Sequence, residues 1–450
     1  MRHEVTPKVT PELAPELAPE LAPKLAPKVT PKVTPKVPRQ PEKKSRHVAE
    51  NLRLYQGGRE YFPALIATID SATGWVQMET YLFDIFGAGA DVANALIRAA
   101  QRGVTVQVLV DGIGTRLLPL QWQEKIRSAG VQWCVYSPLA SNWAILQPLA
   151  WRRLHRKLCV VDQRIMFCGG INVLDDWYDP NHGALEAPRL DFAVSSTGAL
   201  AIDAAEAVTL LWWRVQAGYS ARQRHLGAAW DEFKAAGYGG RTTDSLLPAI
   251  ALATRPGLPA PHAALVLRDN LRNRSSIEKS YLRAIGQARK DIVIANAYFL
   301  PGGKLRRALI NAAQRGVKVT VLLQGKYEYF MQYHASRPVY DALLRQGIEI
   351  HAYDRSFLHA KVAVIDSHWA TVGSSNLDPL SLLLAREANV VIEGAAFAHE
   401  LRSCLLSEAA LQDCRIDQAA YIQRPVIKRC LDWFAYGVMR ALLWVTGKRY

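Results

Sequence analysis

Two histidine–lysine pairs are the residues of this sequence best suited to chemistry on a phosphate ester. His155 precedes Lys157 by two residues, and His359 precedes Lys361 at the same spacing. Both pairs open runs of small and β-branched apolar residues, which are typical of a buried strand. Alternate residues of a strand point to the same face, so each imidazole is expected beside a fixed ammonium group. A nucleophile or proton carrier next to a positive charge suits a phosphate.

The residues after each pair repeat at matched spacing and add polar groups. Asp162 and Asp366 lie seven residues after their histidines, and a glycine follows each aspartate after seven more. The first copy continues with Gly-Gly-Ile-Asn at 169–172 and the second with Gly-Ser-Ser-Asn at 373–376. Glycine backbone, serine hydroxyl and asparagine amide groups can approach an anion closely. Phosphate contacts are therefore predicted from Gly170, Asn172, Ser374 and Asn376.

The repeat extends over most of the chain and predicts the fold. Residues 99–104 and 312–317 both read Ala-Ala-Gln-Arg-Gly-Val, and strand-like segments flank both copies. Each half alternates strands with helices, which predicts an α/β fold with a mainly parallel mixed sheet flanked by helices. Two such halves, related by a pseudo-twofold axis and packed face to face, would bring His155 and His359 into one cleft.

Composition divides the 450 residues into five segments. Proline recurs at every fourth position of much of the tail at 1–47, which predicts an extended, disordered segment. The first half is expected at 48–218, a linker region at 219–262 and the second half at 263–414. The remaining residues, 415–450, are expected to form an amphipathic segment.

Charge and apolar surface predict an anionic partner. The net charge is +15, which suits nucleic acid or a membrane rich in acidic lipid. Residues 137–151 carry no charge and include two tryptophans, and residues 426–450 mix aromatic and basic side chains as interfacial helices do. Packing of both segments on the protein body is the alternative. The sequence shows no secretory signal and no apolar run of the about 18 residues that a membrane-spanning helix needs.

Four acidic residues complete the candidate site. Asp162 and Asp366 belong to the repeated catalytic signature, but they fall on the opposite strand face from the lysines. A structural or orienting role is therefore expected for them. Asp191 and Glu387, on the strand after each motif, are better candidates to hydrogen-bond the histidine rings and orient them, because an acidic partner fixes the tautomer and stabilises the charged ring. Ordinary surface acids are the alternative for this second pair.

Two copies of His-x-Lys-x4-Asp followed by Gly-x-x-Asn resemble the phospholipase D superfamily. The segments AYFLPG (297–302), HWATVGSSNLDPLS (368–381) and REANVVI (386–392) are similar to the bacterial cardiolipin synthases, specifically the B type without N-terminal transmembrane helices. The resemblance covers roughly residues 52–414. The sequence departs from the pattern in its proline-rich tail and at Gly170, where the second motif has Ser374, so unequal phosphate contacts are expected.

The resemblance implies phosphatidyl transfer between two phosphatidylglycerol molecules, giving cardiolipin and glycerol. It assigns His155 as the nucleophile that forms a phosphohistidine and His359 as the acid and base. Lys157 and Lys361 would neutralise the phosphate oxygens, so no metal or other cofactor is expected, and the six cysteines lack a metal-ligand spacing. The implied partners are phosphatidylglycerol, other anionic phospholipids and a membrane surface. The implied location is peripheral, on the cytoplasmic side of the inner membrane.

Three other functions fit parts of the sequence. Water in place of a lipid hydroxyl would make the protein a hydrolytic phospholipase D. The basic charge also suits a phosphodiesterase that cleaves nucleic acid. A membrane-binding module with an inactive site is the non-enzymatic alternative, and the two intact histidine–lysine pairs argue against it. No aromatic platform for stacking bases is evident, and the apolar segments favour lipid, so nucleic acid is not expected as a partner.

Overall fold

A computed structural model describes residues 47–138, 152–222, 261–269, 273–328, 330–378, 385–411 and 414–445. The proline-rich tail to residue 46, most of the uncharged segment (139–151), most of the linker (223–260) and the last five residues lie outside the described residues. The sequence predictions for these segments therefore remain predictions.

The first half begins with two strands and a helix and then alternates. Its strands are β1 (His47–Val48), β2 (Glu50–Gln56), β3 (Trp75–Thr80), β4 (Thr105–Asp111), β5 (Gln132–Tyr136), β6 (Arg153–Leu154), β7 (Leu158–Val161), β8 (Ile165–Gly169), β9 (Tyr178–Asp179), β10 (Gly183–Ala184) and β11 (Phe192–Thr197). Its helices are α1 (Gly58–Asp70), α2 (Ala88–Gln101), α3 (Leu120–Ser128) and α4 (Ala199–Arg222). The last helix runs past the boundary proposed at 218.

The second half repeats this order. Its strands are β12 (His262–Arg268), β13 (Asp291–Asn296), β14 (Lys318–Gln324), β15 (Glu349–Tyr353), β16 (Lys361–Ile365), β17 (Trp369–Gly373) and β18 (Ala385–Glu393). Its helices are α5 (Ser276–Gln287), α6 (Gly303–Gln314), α7 (Phe330–Leu344), α8 (Ala395–Ala410), α9 (Gln418–Ile422) and α10 (Val426–Val445).

Each half contains one mixed sheet. The first has the order β2-β11-β8-β7-β3-β4-β5, and the second has the order β1-β12-β18-β17-β16-β13-β14-β15. The strands β3, β4 and β5 are parallel, as are β13, β14 and β15, because helices connect them. The other neighbours along these two orders pair antiparallel.

The observed α/β class with mixed sheets agrees with the sequence prediction, but parallel pairing within each half involves only three of the described strands. The alternation of strands and helices in the sequence had predicted a mainly parallel sheet. The strands of each motif instead form a hairpin, β7–β8 in the first half and β16–β17 in the second. A hairpin reverses the chain within a few residues, so its two strands must pair antiparallel.

A shared apolar core lies between the two sheets. It includes Val160 and Phe192 from the first sheet and Val364 and Val390 from the second, and it also takes up one side of α4 and of α8. Separate clusters cover the outer faces of the sheets, against α1 and α2 in the first half and against α5, α6 and α7 in the second. Full burial of each such side chain contributes about 1.5–3 kcal/mol, so the halves are held together mainly by this core.

The C-terminal helix α10 packs on α7 and leaves an apolar face uncovered. Ala435 and Met439 are buried in the core of the second half. Ile427, Trp433 and Phe434 are exposed by 84%, 58% and 68%. Among the described residues, no helix combines the length and apolar character needed to cross a bilayer.

Candidate active site

The two halves exchange contacts where the chain enters each motif. Leu154, just before His155, pairs in parallel with Arg386 of β18, and the His155 backbone N–H donates to the Arg386 carbonyl at 3.0 Å. Leu358, just before His359, forms a parallel bridge with Leu190. Each histidine therefore enters the site beside the acid-bearing strand of the opposite half.

This exchange decides which acid holds which imidazole. His155 Nδ1 lies 3.1 Å from both carboxylate oxygens of Glu387 and 3.1 Å from the Ser374 carbonyl oxygen. His359 Nδ1 lies 2.6 Å from Asp191 Oδ2. The acid partner of each ring thus comes from the other half, a pairing that the sequence analysis did not specify. In both rings Nδ1 is engaged, which leaves Nε2 for chemistry.

Each of the two lysines contacts the backbone of its histidine, and both are almost fully buried. Lys157 Nζ donates to the carbonyl oxygen of His155 at 2.9 Å, and Lys361 Nζ donates to that of His359. Their exposed fractions are 3% and 0%. At the i, i+2 spacing each ammonium group folds back onto the backbone carbonyl of its histidine.

Burial governs the charges of the lysines and of Asp191. It lowers the pKa of Lys157 to about 7 and that of Lys361 to about 8, although the carboxylates of Glu387 and Asp191 oppose the change. It raises the pKa of Asp191 to about 7, against the opposing charge of Lys361. An anion bound near the lysines restores their positive charge, because it favours the protonated amine. The two lysines therefore gain positive charge when a phosphate binds.

Burial also favours the neutral form of both imidazoles. It lowers the pKa of His155, against the carboxylate of Glu387. It lowers the pKa of His359 further, because Lys361, Lys157 and His155 add to the effect, which shows that the two rings share one electrostatic environment. Burial alone would raise the pKa of Glu387, but the His155 ring and Lys157 outweigh it and hold that pKa below its ordinary value.

Ser374 and Gly170 occupy matched positions beside the two acids. The Ser374 hydroxyl donates to Glu387 Oε2 at 2.5 Å and accepts from the backbone N–H of Ala388. A Cβ at Gly170 would stand 2.2 Å from Asp191 Oδ1, far closer than van der Waals contact allows. The serine and the glycine at these matched positions thus fit acids of different length. Ser374 supports the longer glutamate, and Gly170 makes room for the aspartate.

The asparagines of the two motifs are placed differently from each other. Asn172 Oδ1 accepts a hydrogen bond from the backbone N–H of Leu82 at 3.3 Å, which ties the motif to the segment after β3. In the second half this tie comes from Asn296, whose Oδ1 accepts from the Leu377 N–H at 3.1 Å. Asn376 is 3% exposed.

Asp162 and Asp366 lie at the far end of the motif strands and anchor turns. Asp162 accepts hydrogen bonds from the backbone N–H groups of Thr73, Gly74 and Trp75. Asp366 accepts from the backbone N–H groups that precede β13, those of Arg289, Lys290 and Asp291. Both aspartates have positive φ, 51° and 53°, at the start of the hairpin turn. These contacts agree with the structural or orienting role expected from the strand-face argument, and the assignment of both aspartates to the catalytic signature stays a prediction.

Several side chains next to the histidines were not singled out from the sequence. The ring of Tyr81 lies 4.9 Å from that of His155, and Lys157 Nζ lies 5.3 Å from the Tyr81 centroid. Arg189 is 9% exposed, and its charge reaches His359. The repeat carried a signal for the tyrosine, because Tyr81 and Tyr298 hold matched positions in the strand-like segments at 74–83 and 291–300.

The arginines that follow the uncharged segment are held by buried acids. Arg153 Nη1 lies 3.3 Å from Asp111 Oδ1, and Arg156 Nη1 lies 3.4 Å from Glu79 Oε2. Both arginines are thus tied to the body of the first half. In the described part of the chain, no group of three or more histidine, cysteine, aspartate or glutamate residues is arranged to hold a metal ion.

Known proteins resemble this chain over most of its length. A family model described as cardiolipin synthase, PLD-like domain, matches residues 65–184 and 281–407, one range in each half. Cardiolipin synthase B of Escherichia coli K12 is 33% identical over 85% of this chain and 86% of its own length. Cardiolipin synthase 1 of Bacillus cereus is 26% identical over 85% of this chain and 70% of its own length. These matches confirm the expected organisation in two phospholipase D-like halves.

One solved structure extends the likeness to the fold. Phosphatidylserine synthase of Haemophilus influenzae Rd KW20 superposes with a TM-score of 0.61 over 88% of this chain and 96% of that chain. The sequence identity is 15%, so this likeness concerns the fold alone.

Proposed function

This chain belongs to the family of cardiolipin synthases with phospholipase D-like domains, and we propose that it is a phosphatidyltransferase. It transfers a phosphatidyl group from one phosphatidylglycerol molecule to another, which gives cardiolipin and releases glycerol. The observation that carries this proposal is the pair of imidazoles, each held at Nδ1 by a buried carboxylate, above two buried lysines. A single phosphodiester fits such a site because it needs a nucleophile, a proton donor and positive charge.

In the first half-reaction His155 is the nucleophile. With its Nδ1–H donated to Glu387, the ring has a lone pair at Nε2 that attacks phosphorus. A phosphorus–nitrogen bond forms, and the bond from phosphorus to the glycerol oxygen breaks. His359 donates a proton to that oxygen. Burial and the lysines favour the neutral ring, so the negative charges of the bound phosphate and of Asp191 together stabilise the charged imidazole before this transfer. Glycerol leaves and the phosphatidyl group stays on His155.

In the second half-reaction His359 acts as the base. Its neutral Nε2 takes the proton of a hydroxyl group on a second phosphatidylglycerol. The oxygen attacks phosphorus and the phosphorus–nitrogen bond breaks, so one phosphodiester replaces another and no nucleotide is consumed. General acid–base catalysis of this kind contributes about 10²–10⁴-fold.

The two buried lysines supply the positive charge. Lys157 and Lys361 bind the non-bridging phosphate oxygens and regain their protons as the anion arrives. Asn172 and Asn376 are proposed to add amide hydrogen bonds, with backbone support at Gly170 and Ser374. Because Ser374 also bonds Glu387, its hydroxyl orients an acid as well as lining the site.

The lipid substrate places the protein at a membrane surface, and α10 is proposed as a contact. Ile427, Trp433 and Phe434 are exposed on a helix that also exposes Lys428 and Arg429. Apolar and basic side chains on one helix favour the interface of a bilayer that contains anionic lipid. Peripheral attachment on the cytoplasmic side of the inner membrane remains part of this proposal.

Product analysis tests the function directly. The purified protein is incubated with phosphatidylglycerol vesicles, and the lipids and the water-soluble products are resolved by mass. Cardiolipin and glycerol in equal amounts are expected. Phosphatidic acid as the main lipid product would make the protein a hydrolase, and cleavage of added DNA without lipid turnover would make it a nuclease.

A further inference from the structure

A polar cavity lies in the second half, between the ends of β13 and β14 and the start of α7. The space inside it, including its open mouth, measures about 570 Å³. Its lining includes six charged or amide side chains, Gln324, Lys326, Glu328, Gln332, Arg337 and Asp378, together with hydroxyl groups of serine and tyrosine.

Two amide groups in this lining have buried atoms that lack a partner. The Gln324 amide nitrogen and the Gln332 amide oxygen have no hydrogen-bond partner among the described residues. An unmatched buried polar atom costs about 1–3 kcal/mol, so both atoms favour a ligand that satisfies them. One is a donor and the other an acceptor, and a hydroxyl-bearing ligand can pair with both.

The charges of the lining select a neutral ligand. Lys326 and Arg337 carry positive charge, and Glu328 and Asp378 carry or can carry negative charge, so the formal charges cancel. The Tyr298 hydroxyl donates to Glu328 Oε2 at 2.7 Å, which fixes this carboxyl group in place. A phosphate would meet two carboxyl groups, and an amine would meet two cations. A neutral polyol avoids both conflicts.

The cavity adjoins the histidine–lysine pair of the second half. Gln324 Oε1 accepts a hydrogen bond at 2.9 Å from the backbone N–H of Leu358, the residue before His359. The Glu328 carboxyl group is near enough to Lys361 to oppose the loss of its charge. A ligand in the cavity would thus lie near the backbone that leads into His359.

The residue of the first half that corresponds to Gln324 cannot donate a hydrogen bond to a ligand. Asp111 holds that position in the repeat. Its carboxylate accepts hydrogen bonds from the backbone N–H groups of Ile113 and Leu154 and contacts the Arg153 guanidinium. An ionised carboxylate has no donor to offer a hydroxyl group. The amide donor is therefore specific to the side of His359.

We propose that this cavity binds the glycerol group of phosphatidylglycerol, as leaving group in the first half-reaction and as acceptor in the second. The proposal rests on the phosphatidyl transfer proposed above and adds the determinant of acceptor choice. In the leaving group, Gln332 and Gln324 hydrogen-bond the two free hydroxyl groups, and the oxygen bonded to the reacting phosphorus faces His359. In the acceptor, they hydrogen-bond the one free hydroxyl group that does not react, the other free hydroxyl group faces His359, and the acceptor's own phosphate stays outside the cavity. In this account Gln332 contacts the glycerol and not the phosphate. It is therefore a specificity-determining residue, which selects the alcohol that reacts.

Competition between two soluble alcohols tests the proposal. Phosphatidylglycerol vesicles are incubated with the enzyme in a mixture of deuterated glycerol and ethanol. Mass spectrometry then measures labelled phosphatidylglycerol against phosphatidylethanol in each sample. The Gln332→Leu variant is expected to lower the ratio of glycerol to ethanol products by about tenfold, because ethanol lacks the hydroxyl groups that Gln332 recognises.

Two further variants keep the test decisive. Gln314→Leu makes the same change at an exposed glutamine of α6 and is expected to leave the ratio unchanged. Thermal unfolding reports whether Gln332→Leu folds. Glu328→Gln keeps the size of the side chain and serves as a second cavity variant, which is also expected to lower the ratio of glycerol to ethanol products. An unchanged ratio in both cavity variants, with cardiolipin still made, would overturn the glycerol site alone. Transfer to neither alcohol by the unchanged enzyme, with no cardiolipin made, would overturn the transferase and the site together.

Discussion

At the scale of single residues, the site pairs each imidazole with a carboxylate from the other half. Asp191 reaches His359 at 2.6 Å, and Glu387 reaches His155 at 3.1 Å. The two acids differ by one methylene group, and Gly170 and Ser374 differ to match them. The halves are therefore similar in plan but unequal in chemistry, which suits a nucleophile on one side and an acid and base on the other.

Removing the charge of Glu387 should slow the attack on phosphorus. The Glu387→Gln variant leaves His155 without an anion to stabilise its charged, phosphorylated form, so kcat is expected to fall about 10²–10⁴-fold. The measurement is cardiolipin formation at saturating phosphatidylglycerol. Glu393→Gln, at the other end of β18, is the matched control and should retain activity. Equal activity in both variants would rule out a part for Glu387 in the chemistry.

The pH dependence should report the buried lysines. Both must be charged to bind phosphate, and their pKa values of about 7 and about 8 mean that the charge is present below this range and lost as pH rises through it. We expect kcat/KM, which reflects the free enzyme, to decline between about pH 7 and pH 8 and above. The measurement uses vesicles of fixed composition at constant ionic strength. A kcat/KM that stays level up to pH 9 would contradict the expected charges.

The sequence predicted the residue types of this site better than their partners. The histidines, lysines and acids could be found because each occurs twice at matched positions in the repeat. Which acid meets which ring could not be found, since it depends on the register between β6 and β18 and between Leu190 and Leu358, contacts between distant parts of the chain. The cavity beside the end of β14 was also missed, because the repeat has an aspartate, Asp111, at the position of Gln324 and so gave no matched pair to notice.

At the scale of elements, the hairpin of each motif is held by the aspartate that ends its first strand. Asp366 ties the β16–β17 turn to the backbone before β13, and Asp162 does the same for the β7–β8 turn. Histidine and aspartate are separated by the length of a strand, roughly 20 Å of extended chain. The aspartates therefore position the catalytic strands without contact with the reacting atoms.

Loss of this anchor should affect stability more than chemistry. Asp366→Asn keeps a side chain that tolerates positive φ but loses the charge-assisted hydrogen bonds, at an expected cost of about 1–2 kcal/mol in unfolding free energy. Thermal unfolding should show a lower Tm, and kcat below that transition should stay close to that of the unchanged protein. Asp162→Asn should behave in the same way. A large fall in kcat with unchanged Tm would instead place Asp366 among the catalytic residues.

The sheet also shows why the sequence overestimated parallel pairing. Helices connect β3, β4 and β5, and these strands are parallel as predicted. The motif strands β7 and β8 are joined by a turn with two successive positive φ values, at Asp162 and Gln163. Such a turn makes a tight hairpin. Asp162 was assigned to the catalytic signature from its place in the repeat, so its value as a turn residue was not used.

At the scale of the whole molecule, the enzyme must bring a buried site to lipids that stay in a bilayer. The face of α10 with Trp433 and Phe434 is the proposed contact. Replacing both residues by serine should weaken binding to phosphatidylglycerol vesicles by about tenfold or more, since two large apolar side chains lose their burial in the interface. Vesicle sedimentation at constant ionic strength measures the change.

A control variant separates this contact from general loss of apolar surface. Leu411→Ser removes another exposed apolar side chain, at the end of α8, and should leave vesicle binding unchanged. Unchanged binding in the Trp433→Ser, Phe434→Ser double variant would remove α10 from the membrane contact.

The face-to-face packing of the two halves gives the account its central claim, that both imidazoles act on one phosphate. Rapid quenching of the enzyme with labelled phosphatidylglycerol, followed by mass spectrometry of its peptides, tests this most directly. We expect a phosphatidyl group on His155 and none in His155→Gln. In His359→Gln the adduct is expected to form more slowly and to decay more slowly, because this variant loses the acid of the first half-reaction and the base of the second. Cardiolipin formation with no covalent adduct on either histidine, or full activity in either variant, would contradict the account.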